Sequence, residues 1–241
     1  MKYPLIFLTG CVNPNGMAFT ELQNPTQRKQ QYIDSIKFYL ENTHVPVLFV
    51  ENSGVDLSSD FTSYITSNRL EILTFEGNDY DKSLGKGYGE MLIIKYAVTN
   101  STLLSKSDFL IKITGRYQVT NINYYLHDLD NSEHLELFVD ILHSLTHADS
   151  RLWGCKVSFI PGYLLKYEES VNDAKMFIFE NALCKAALAA IIDGYKFSYL
   201  KQRPRYIGVS GTSNTIMKET SIIWWLKNFK HKMRFKLMNS F

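Results

Sequence analysis

The chain has 241 residues, of which 45% are hydrophobic and 14% aromatic, and its 26 basic and 24 acidic residues give a formal net charge of +2. This composition excludes a disordered chain, and the length suffices for a full core in one large α/β domain or two small ones. The last fifteen residues, 227–241, hold five basic residues and no acid, so residues 1–226 carry a net charge of −3. Such asymmetry points to a membrane or nucleic-acid surface, or to a solvated end.

Cysteine usage and the length of the apolar runs bear on location. Cys11, Cys155 and Cys184 lie inside apolar segments, which indicates free thiols in a reducing compartment. The apolar stretch before Cys11 is too short for a secretion signal. No apolar run approaches the roughly 20 residues that cross a bilayer. We therefore expect a cytoplasmic protein.

The first 120 residues alternate short apolar runs with helical patterns. The runs at 5–8, 45–50, 70–75 and 109–113 predict strands, the patterns at 28–40, 61–66 and 90–98 predict helices, and 13–24 predicts a loop. This alternation favours an α/β fold with a Rossmann-like, mostly parallel central sheet and helices on both faces.

The second half of the chain is less regular. Residues 135–145 fit a strand or a helix, 152–160 and 175–179 predict strands, 182–192 predicts the clearest helix, and 198–221 predicts a loop. No internal repeat or linker separates the two halves, so one domain is expected.

A glycine-rich segment precedes the third predicted helix. Residues 85–90 read Gly-Lys-Gly-Tyr-Gly-Glu, in which Gly87 and Gly89 let backbone N–H groups approach an anion and Lys86 adds a positive charge. The segment is not a Walker A motif, because glycine follows Lys86, and it does not follow the first strand as a dinucleotide fingerprint would. The alternatives are a phosphate site and a turn that caps a helix.

Polar residues follow the predicted strands at the edge where α/β sheets bind ligands. They are Thr9, Gly10 and Cys11 after the first strand, Glu51, Asn52 and Ser53 after the second, and Lys112, Thr114, Gly115 and Arg116 at the fourth. Lys112 lies in an apolar strand and needs an anionic ligand or an acidic partner such as Glu51 or Glu90. Arg116 offers a bidentate fork to phosphate or carboxylate. The Glu51–Ser53 triplet fits either a ribose or base contact or a simple turn.

Two candidate sites lie in the second half. Glu180 opens the helix at 182–192, where it is either a general base facing a cleft or a capping carboxylate. The loop at 203–213 fits an acceptor or second anion site, or a plain surface loop. Its candidate residues are Arg205, Ser210, Gly211 and Thr212.

The C-terminal segment 221–241 has the clearest periodicity. Spacings of 4, 3, 4 and 4 place one apolar stripe on a helix, formed by Ile222, Leu226, Phe229, Met233 and Leu237, with basic residues on the other faces. A basic amphipathic helix suits an anionic membrane surface, and the alternative is a helix packed on the body. We do not expect nucleic acid as a partner, because the body is acidic and no reading motif is present.

The order of these motifs, most specifically over residues 45–120, resembles small bacterial glycosyltransferases of capsule and lipopolysaccharide O-antigen gene clusters. The resemblance covers about residues 3–215 and implies a GT-A-like catalytic domain over 1–220. Residues 1–120 would bind a nucleotide-sugar donor, and 121–220 would form the acceptor side.

The resemblance also implies roles for the candidate residues. Residues 9–11 and 51–53 would hold the nucleoside, and Glu180 would deprotonate the acceptor hydroxyl, which implies inversion at the anomeric carbon. The sequence has Thr114-Gly115-Arg116 where a metal-binding Asp-x-Asp would follow the fourth strand. We therefore expect no divalent metal and no other cofactor, with Lys86, Lys112 and Arg116 stabilising the departing nucleoside diphosphate instead.

The expected protein is a cytoplasmic enzyme, peripheral on the inner face of the cell membrane through residues 221–241. It would transfer a sugar to a hydroxyl of a glycan or lipid-linked saccharide. Two alternatives are a nucleotidyl- or phosphotransferase that uses the same glycine-rich segment, and a non-catalytic nucleotide-sugar-binding module.

Overall fold

The computed structural model describes residues 3–17, 20–142, 144–210 and 214–238. Residues 237 and 238 are described through their backbone alone. Its main feature is a seven-stranded sheet in the order β3-β2-β1-β4-β7-β6-β8. These strands are β1 (Pro4–Gly10), β2 (Val47–Glu51), β3 (Leu70–Thr74), β4 (Phe109–Thr114), β6 (Leu137–Phe138), β7 (Leu152–Lys156) and β8 (Phe197–Ser198). Strand β7 pairs antiparallel with both neighbours, and the other pairings are parallel.

A second, three-stranded sheet lies beside the carboxyl end of β4. It consists of β5 (Gln118–Val119), β9 (Tyr206–Val209) and β10 (Ile216–Lys218), in the order β10-β9-β5. Its pairings are antiparallel.

Helices cover both faces of the large sheet. They are α1 (Pro25–Asn42), α2 (Thr62–Thr66), α3 (Lys86–Asn100), α4 (Thr102–Ser105), α5 (Ile122–Asp130), α6 (Phe159–Gly162), α7 (Phe179–Ile192) and the C-terminal α8 (Ser221–Met238). Short 3-10 turns occupy Ser58–Asp60, Lys82–Leu84, Leu164–Ser170 and Asp173–Lys175.

Each face of the sheet carries its own hydrophobic core, because successive strand residues point to opposite faces. In β1, Leu5 and Phe7 pack with α3 and α7, whereas Ile6 and Leu8 pack with α1 and α5. All four side chains are fully buried. The apolar runs of β1, β2 and β4 are thus buried on both sides, whereas the edge strand β3 is only partly buried.

The mixed α/β fold with a mostly parallel sheet is confirmed, and so are the predicted strands β1 to β4 and the helices α1, α2, α7 and α8. The described part of 13–24 has neither helix nor strand up to the start of α1. In the ambiguous segment 135–145 the structure has the two-residue strand β6.

Two predictions in the second half are wrong, and a third is right only in part. Residues 175–179 form no strand, because the Asn172 side chain accepts the Lys175 N–H and Met176 has a positive φ of 59°. The segment 198–221 contains β9 and β10. The strand predicted over 152–160 ends at Lys156 and is followed by α6.

The predicted position of the glycine-rich segment relative to the helix is also wrong. Helix α3 begins at Lys86, so Gly87 and Gly89 lie in its first turn and not in a preceding loop. Gly85 has a φ of 81° and caps this helix.

Candidate functional site

A cavity of about 600 Å³ opens at the carboxyl ends of β1, β2 and β4. Residues from the second half reach it because β7 is reversed: its amino end meets the carboxyl end of β4, where Thr114 N–H donates to the Arg151 carbonyl at 3.0 Å. The amino ends of α3 and α7 also contribute lining residues. Two helix N-termini therefore add partial positive charge at the cavity wall.

The cavity gathers most of the sequence-predicted site residues. Those that line it are Thr9, Gly10, Cys11, Asn52, Lys86, Gly87, Gly89, Lys112, Thr114, Arg116, Glu180 and Ser210. Glu51, Ser53, Gly115 and Arg205 are not part of its lining. Gly211 and Thr212 lie outside the described residues.

Lys112 lies at the floor of the cavity and is only 1% exposed. Its ammonium group forms an ion pair with Glu90 and donates to the Ser150 carbonyl at 3.0 Å. The same Glu90 carboxylate accepts a hydrogen bond from the Thr9 hydroxyl at 3.0 Å. Of the two alternatives for this buried lysine, the internal partner is therefore present, and Lys112 does not need a ligand to balance its charge.

Arg116 differs from Lys112, because part of its guanidinium has no partner. Its Nη1 donates to the Val209 carbonyl at 2.9 Å and to Gln31 Oε1 at 3.3 Å. The buried Nε has no hydrogen-bond partner in the part of the chain that the structure describes, although the residue is only 8% exposed. A buried cation without an acidic partner is costly, and Arg116 lines the cavity, so an anion bound there would compensate its charge.

The three residues that end or follow β2, Glu51, Asn52 and Ser53, have two different roles. The Glu51 carboxylate is fully buried and accepts N–H groups from Val12 at 2.7 Å and Val55 at 2.9 Å, and burial raises its pKa. It also accepts bonds from the N–H and hydroxyl of Ser53, so both residues serve the turn. Asn52 lines the cavity at 2% exposure, and its Oδ1 has no partner among the described residues. Asn52 is therefore the member that can contact a ligand.

The glycines at the start of α3 are explained by close packing against the segment before α7. A Cβ on Gly85 would lie 2.0 Å from Asp173 Oδ2, and one on Gly87 would lie 2.9 Å from the Phe179 backbone nitrogen. Asp173 accepts the Lys86 N–H and so caps α3 from outside the helix. The glycine spacing alone therefore does not require a bound phosphate.

Two further carboxylates line the cavity near α7: Asp173 in the 3-10 turn before this helix and Glu180 in its first turn. Glu180 Oε1 accepts a hydrogen bond from the Ser150 hydroxyl at 2.7 Å. Asp173 lines the same cavity, and its buried Oδ1 has no partner within the described residues. Burial, together with the nearby Glu180 charge, raises the pKa of Asp173. Sequence reasoning missed Asp173, because it lies in a polar segment without periodicity.

Arg28, which sequence reasoning also missed, holds the loop after β1. Its Nε and Nη2 donate to the Cys11 carbonyl at 2.8 and 2.6 Å, and Nη1 donates to the Leu22 carbonyl at 3.2 Å. Burial raises the pKa of the Cys11 thiol to about 11, which keeps it protonated at neutral pH. The loop therefore offers backbone groups and no thiolate.

Arg205 lies away from the cavity. Its Nη2 donates to the Ser221 hydroxyl at 3.0 Å, and its guanidinium lies 5.7 Å from the Trp224 ring centroid. It therefore attaches the start of α8 to the body. The predicted second anion site has only Ser210 on the cavity wall in the described part of the chain.

Three carboxylates line the cavity among the described residues, those of Glu90, Asp173 and Glu180, and Glu90 is paired with Lys112. Over the ranges that the structure describes, no group of three or more His, Cys, Asp and Glu side chains is arranged to hold a metal ion. A Mg²⁺ ion that is held mainly by substrate phosphates needs only one or two carboxylates, so the expectation of a metal-free site stays a prediction.

No family model and no curated protein sequence matches this chain. Solved structures similar to it include residues 1–349 of TarS from S. aureus in complex with UDP, at 12% identity and a TM-score of 0.48 over 86% of this chain and 60% of that chain. The inositol-1-phosphate CTP transferase from T. maritima is similar at 10% identity and a TM-score of 0.48, over 97% of this chain and 96% of that one. The mannosyltransferase Ktr4p from S. cerevisiae is similar at 13% identity and a TM-score of 0.46, over 83% and 69%.

Among the described residues, no helix is both long and apolar enough to cross a bilayer.

Proposed function

We propose that this protein is a glycosyltransferase that moves a sugar from a nucleoside-diphosphate donor to an acceptor hydroxyl. One observation carries the proposal: a single cavity is lined both by the cations Arg116 and Lys86 and by two acids, Asp173 in the turn before α7 and Glu180 in its first turn. The cationic side suits a departing diphosphate, and the acidic side suits a hydroxyl that must lose a proton.

The donor would lie along the ends of β1, β2 and β4. The Asn52 side chain would contact the base or ribose, and the Arg116 guanidinium would donate to the diphosphate. Lys86 and the first turn of α3 line the same side and add positive charge. Lys112 would act as a positioning residue, because it holds Glu90 and the Ser150 carbonyl.

Glu180 would act as the general base. It would take the proton of the acceptor hydroxyl while the new bond forms at the anomeric carbon and the bond to the diphosphate oxygen breaks. The Ser150 hydroxyl, 2.7 Å from Glu180 Oε1, orients this carboxylate. An attack from the side opposite the leaving group inverts the anomeric configuration. We take a glycan or lipid-linked saccharide of a surface polysaccharide as the first acceptor to test, following the resemblance of residues 45–120.

The test is a panel of nucleotide-sugars assayed for thermal stabilisation and for slow hydrolysis of the donor. We expect one nucleoside-diphosphate sugar to stabilise the protein and to be hydrolysed in the presence of EDTA. Glu180→Gln should bind the donor and lose hydrolysis, whereas Arg116→Gln should weaken donor binding by about tenfold or more. Arg205→Gln, outside the cavity, is the matched arginine control and should bind normally.

Three other results of this panel would support an alternative function or contradict the mechanism. Stabilisation by nucleoside triphosphates alone would favour nucleotidyl transfer, and binding without any turnover would favour a non-catalytic module. Loss of activity in EDTA with rescue by Mn²⁺ would contradict the metal-independent mechanism.

A further inference from the structure

Helix α8 is attached to the body through one face. Asn228 is 5% exposed, and its Oδ1 accepts the Arg203 N–H at 2.9 Å. One turn later, His231 Nε2 lies 2.5 Å from the Leu200 carbonyl. These contacts fix the rotation of the helix about its axis.

The opposite face of α8 is apolar and open to solvent. Ile222 is 75% exposed, Leu226 56%, Phe229 55% and Met233 49%. Trp225 is 59% exposed and stacks on Phe229 at a ring-centroid distance of 5.9 Å. We call these five side chains the α8 stripe. An exposed apolar patch of this kind marks an interaction surface.

Lysines border the stripe on both sides. With 3.6 residues per turn, Lys230 and Lys232 fall on opposite flanks of the stripe, and both side chains are exposed. No Asp or Glu occurs from residue 221 to the end of the sequence. The helix therefore presents an apolar strip within a purely basic border.

We propose that the α8 stripe docks on an anionic lipid surface, with its apolar side chains inserted and the flanking lysines against the headgroups. Charge complementarity selects this occupant. Pairing with a second copy of the helix would bring the basic borders together with no acid on either helix to compensate them.

The position of α8 in the chain adds to the argument. Met217 in β10 lines the cavity, and α8 begins at Ser221, so the helix starts within about 14 Å of the cavity wall. Docking would hold the cavity next to the lipid surface. This consequence rests on the proposed function, whereas docking itself can be measured without any transfer reaction.

The experiment is co-sedimentation of the full chain with vesicles at low ionic strength. We expect binding to phosphatidylglycerol-containing vesicles and at least about tenfold weaker binding to pure phosphatidylcholine. Leu226→Asn with Phe229→Asn, and separately Lys230→Glu with Lys232→Glu, should each reduce partitioning by about tenfold or more. More than half of the Leu226 and Phe229 side chains and both lysines face solvent, so the thermal midpoint of each variant should change only slightly.

Two control variants match these changes in type. Tyr3→Asn with Ile192→Asn removes exposed apolar side chains elsewhere, and Lys37→Glu with Lys106→Glu makes the same change in net charge. Both should bind like the unmodified protein. Equal binding to neutral and anionic vesicles, or unchanged binding of the stripe variants, would overturn the proposal. The proposal would also be overturned if the protein did not bind vesicles and instead formed a dimer without lipid that the stripe substitutions dissociate.

Discussion

At the scale of single residues, the ion pair between Lys112 and Glu90 is the most consequential contact at the cavity. Lys112 is buried, so removing its partner would leave an uncompensated charge inside the sheet. A buried cation without a partner costs several kcal/mol, whereas an exposed pair contributes little.

We predict that Glu90→Gln lowers the free energy of unfolding by about 3 kcal/mol. The matched control is Glu168→Gln, whose partner Lys95 has a side chain that is 53% exposed, and we expect a loss below about 1 kcal/mol there. Urea denaturation of the three proteins measures both values. Equal losses would mean that Lys112 finds other compensation.

The pKa of Asp173 gives a second residue-scale prediction. Burial raises this pKa, so the native state holds a proton that the unfolded chain has already released above a pH of about 3.9. The protein therefore loses stability as the pH rises from that value through the folded-state pKa. Asp173→Asn removes this loss and keeps an acceptor for the Lys86 N–H.

The difference in thermal midpoint, Asp173→Asn minus unmodified protein, should grow as the pH rises through this window and then stay constant. Asp81→Asn is a control in which the difference in thermal midpoint should change with pH in the opposite direction, because the Ser83 N–H lowers the pKa of Asp81. A difference for Asp173→Asn that is independent of pH would contradict a raised pKa of the Asp173 carboxyl.

Many of the cavity residues could be predicted from their positions after the strands. The carboxyl ends of β1, β2 and β4 meet at one edge of the sheet whatever the conformation of the loops that follow. Position alone could not separate Asn52, which lines the cavity, from Glu51, which serves the turn. Nor could it find Asp173, whose position depends on packing against Gly85, some ninety residues earlier in the chain. Long-range packing of this kind leaves no local pattern.

At the scale of elements, the junction of α3 and α7 forms one wall of the cavity. Replacing Gly87 by alanine would by itself stabilise the helix, because alanine has a higher helix propensity than glycine. Yet its Cβ would meet the Phe179 backbone, which cannot move as a side-chain end can.

We predict that Gly87→Ala lowers the free energy of unfolding by about 1–3 kcal/mol, the usual cost of overpacking. Gly162→Ala is the control: it lies at the end of α6, and a Cβ there would meet nothing within 4 Å. That variant should be neutral. A stable Gly87→Ala protein would show that α7 can shift away from α3.

Element prediction succeeded for the long apolar runs and for most helices, and it failed for the short strands. Strands β1, β2 and β4 are apolar runs because they are covered on both faces, and the edge strand β3 is partly buried. Strands β6 and β8 have two residues each and β10 has three, too few to show alternation. Helix α5 was overlooked although its buried residues Ile122, Tyr125 and Leu129 keep a helical spacing, so that signal was available.

At the scale of the whole molecule, the large sheet crosses the boundary between the two halves expected from the sequence. Strand β4 of the first half pairs with β7 of the second along five residue pairs. Both cores also take side chains from each half. The halves are thus neighbouring parts of one sheet.

We predict that the halves unfold together. Far-UV circular dichroism reports the helices of both halves, and Trp153 in β7 becomes the remaining tryptophan when Trp224 and Trp225 are replaced by Phe. The two signals should share one denaturant midpoint. Separate midpoints would indicate that residues 1–120 fold as an independent unit.

The solvent-facing stripe of α8 also affects how the purified protein behaves without lipid. Its lysine border would keep copies apart by electrostatic repulsion, which acts over about 10 Å in 0.1 M salt and about 3 Å in 1 M salt. Concentrated salt should therefore promote self-association and light scattering, and Leu226→Asn with Phe229→Asn should abolish this response. A helix suited to a charged interface would thus make the isolated protein most soluble in dilute buffer.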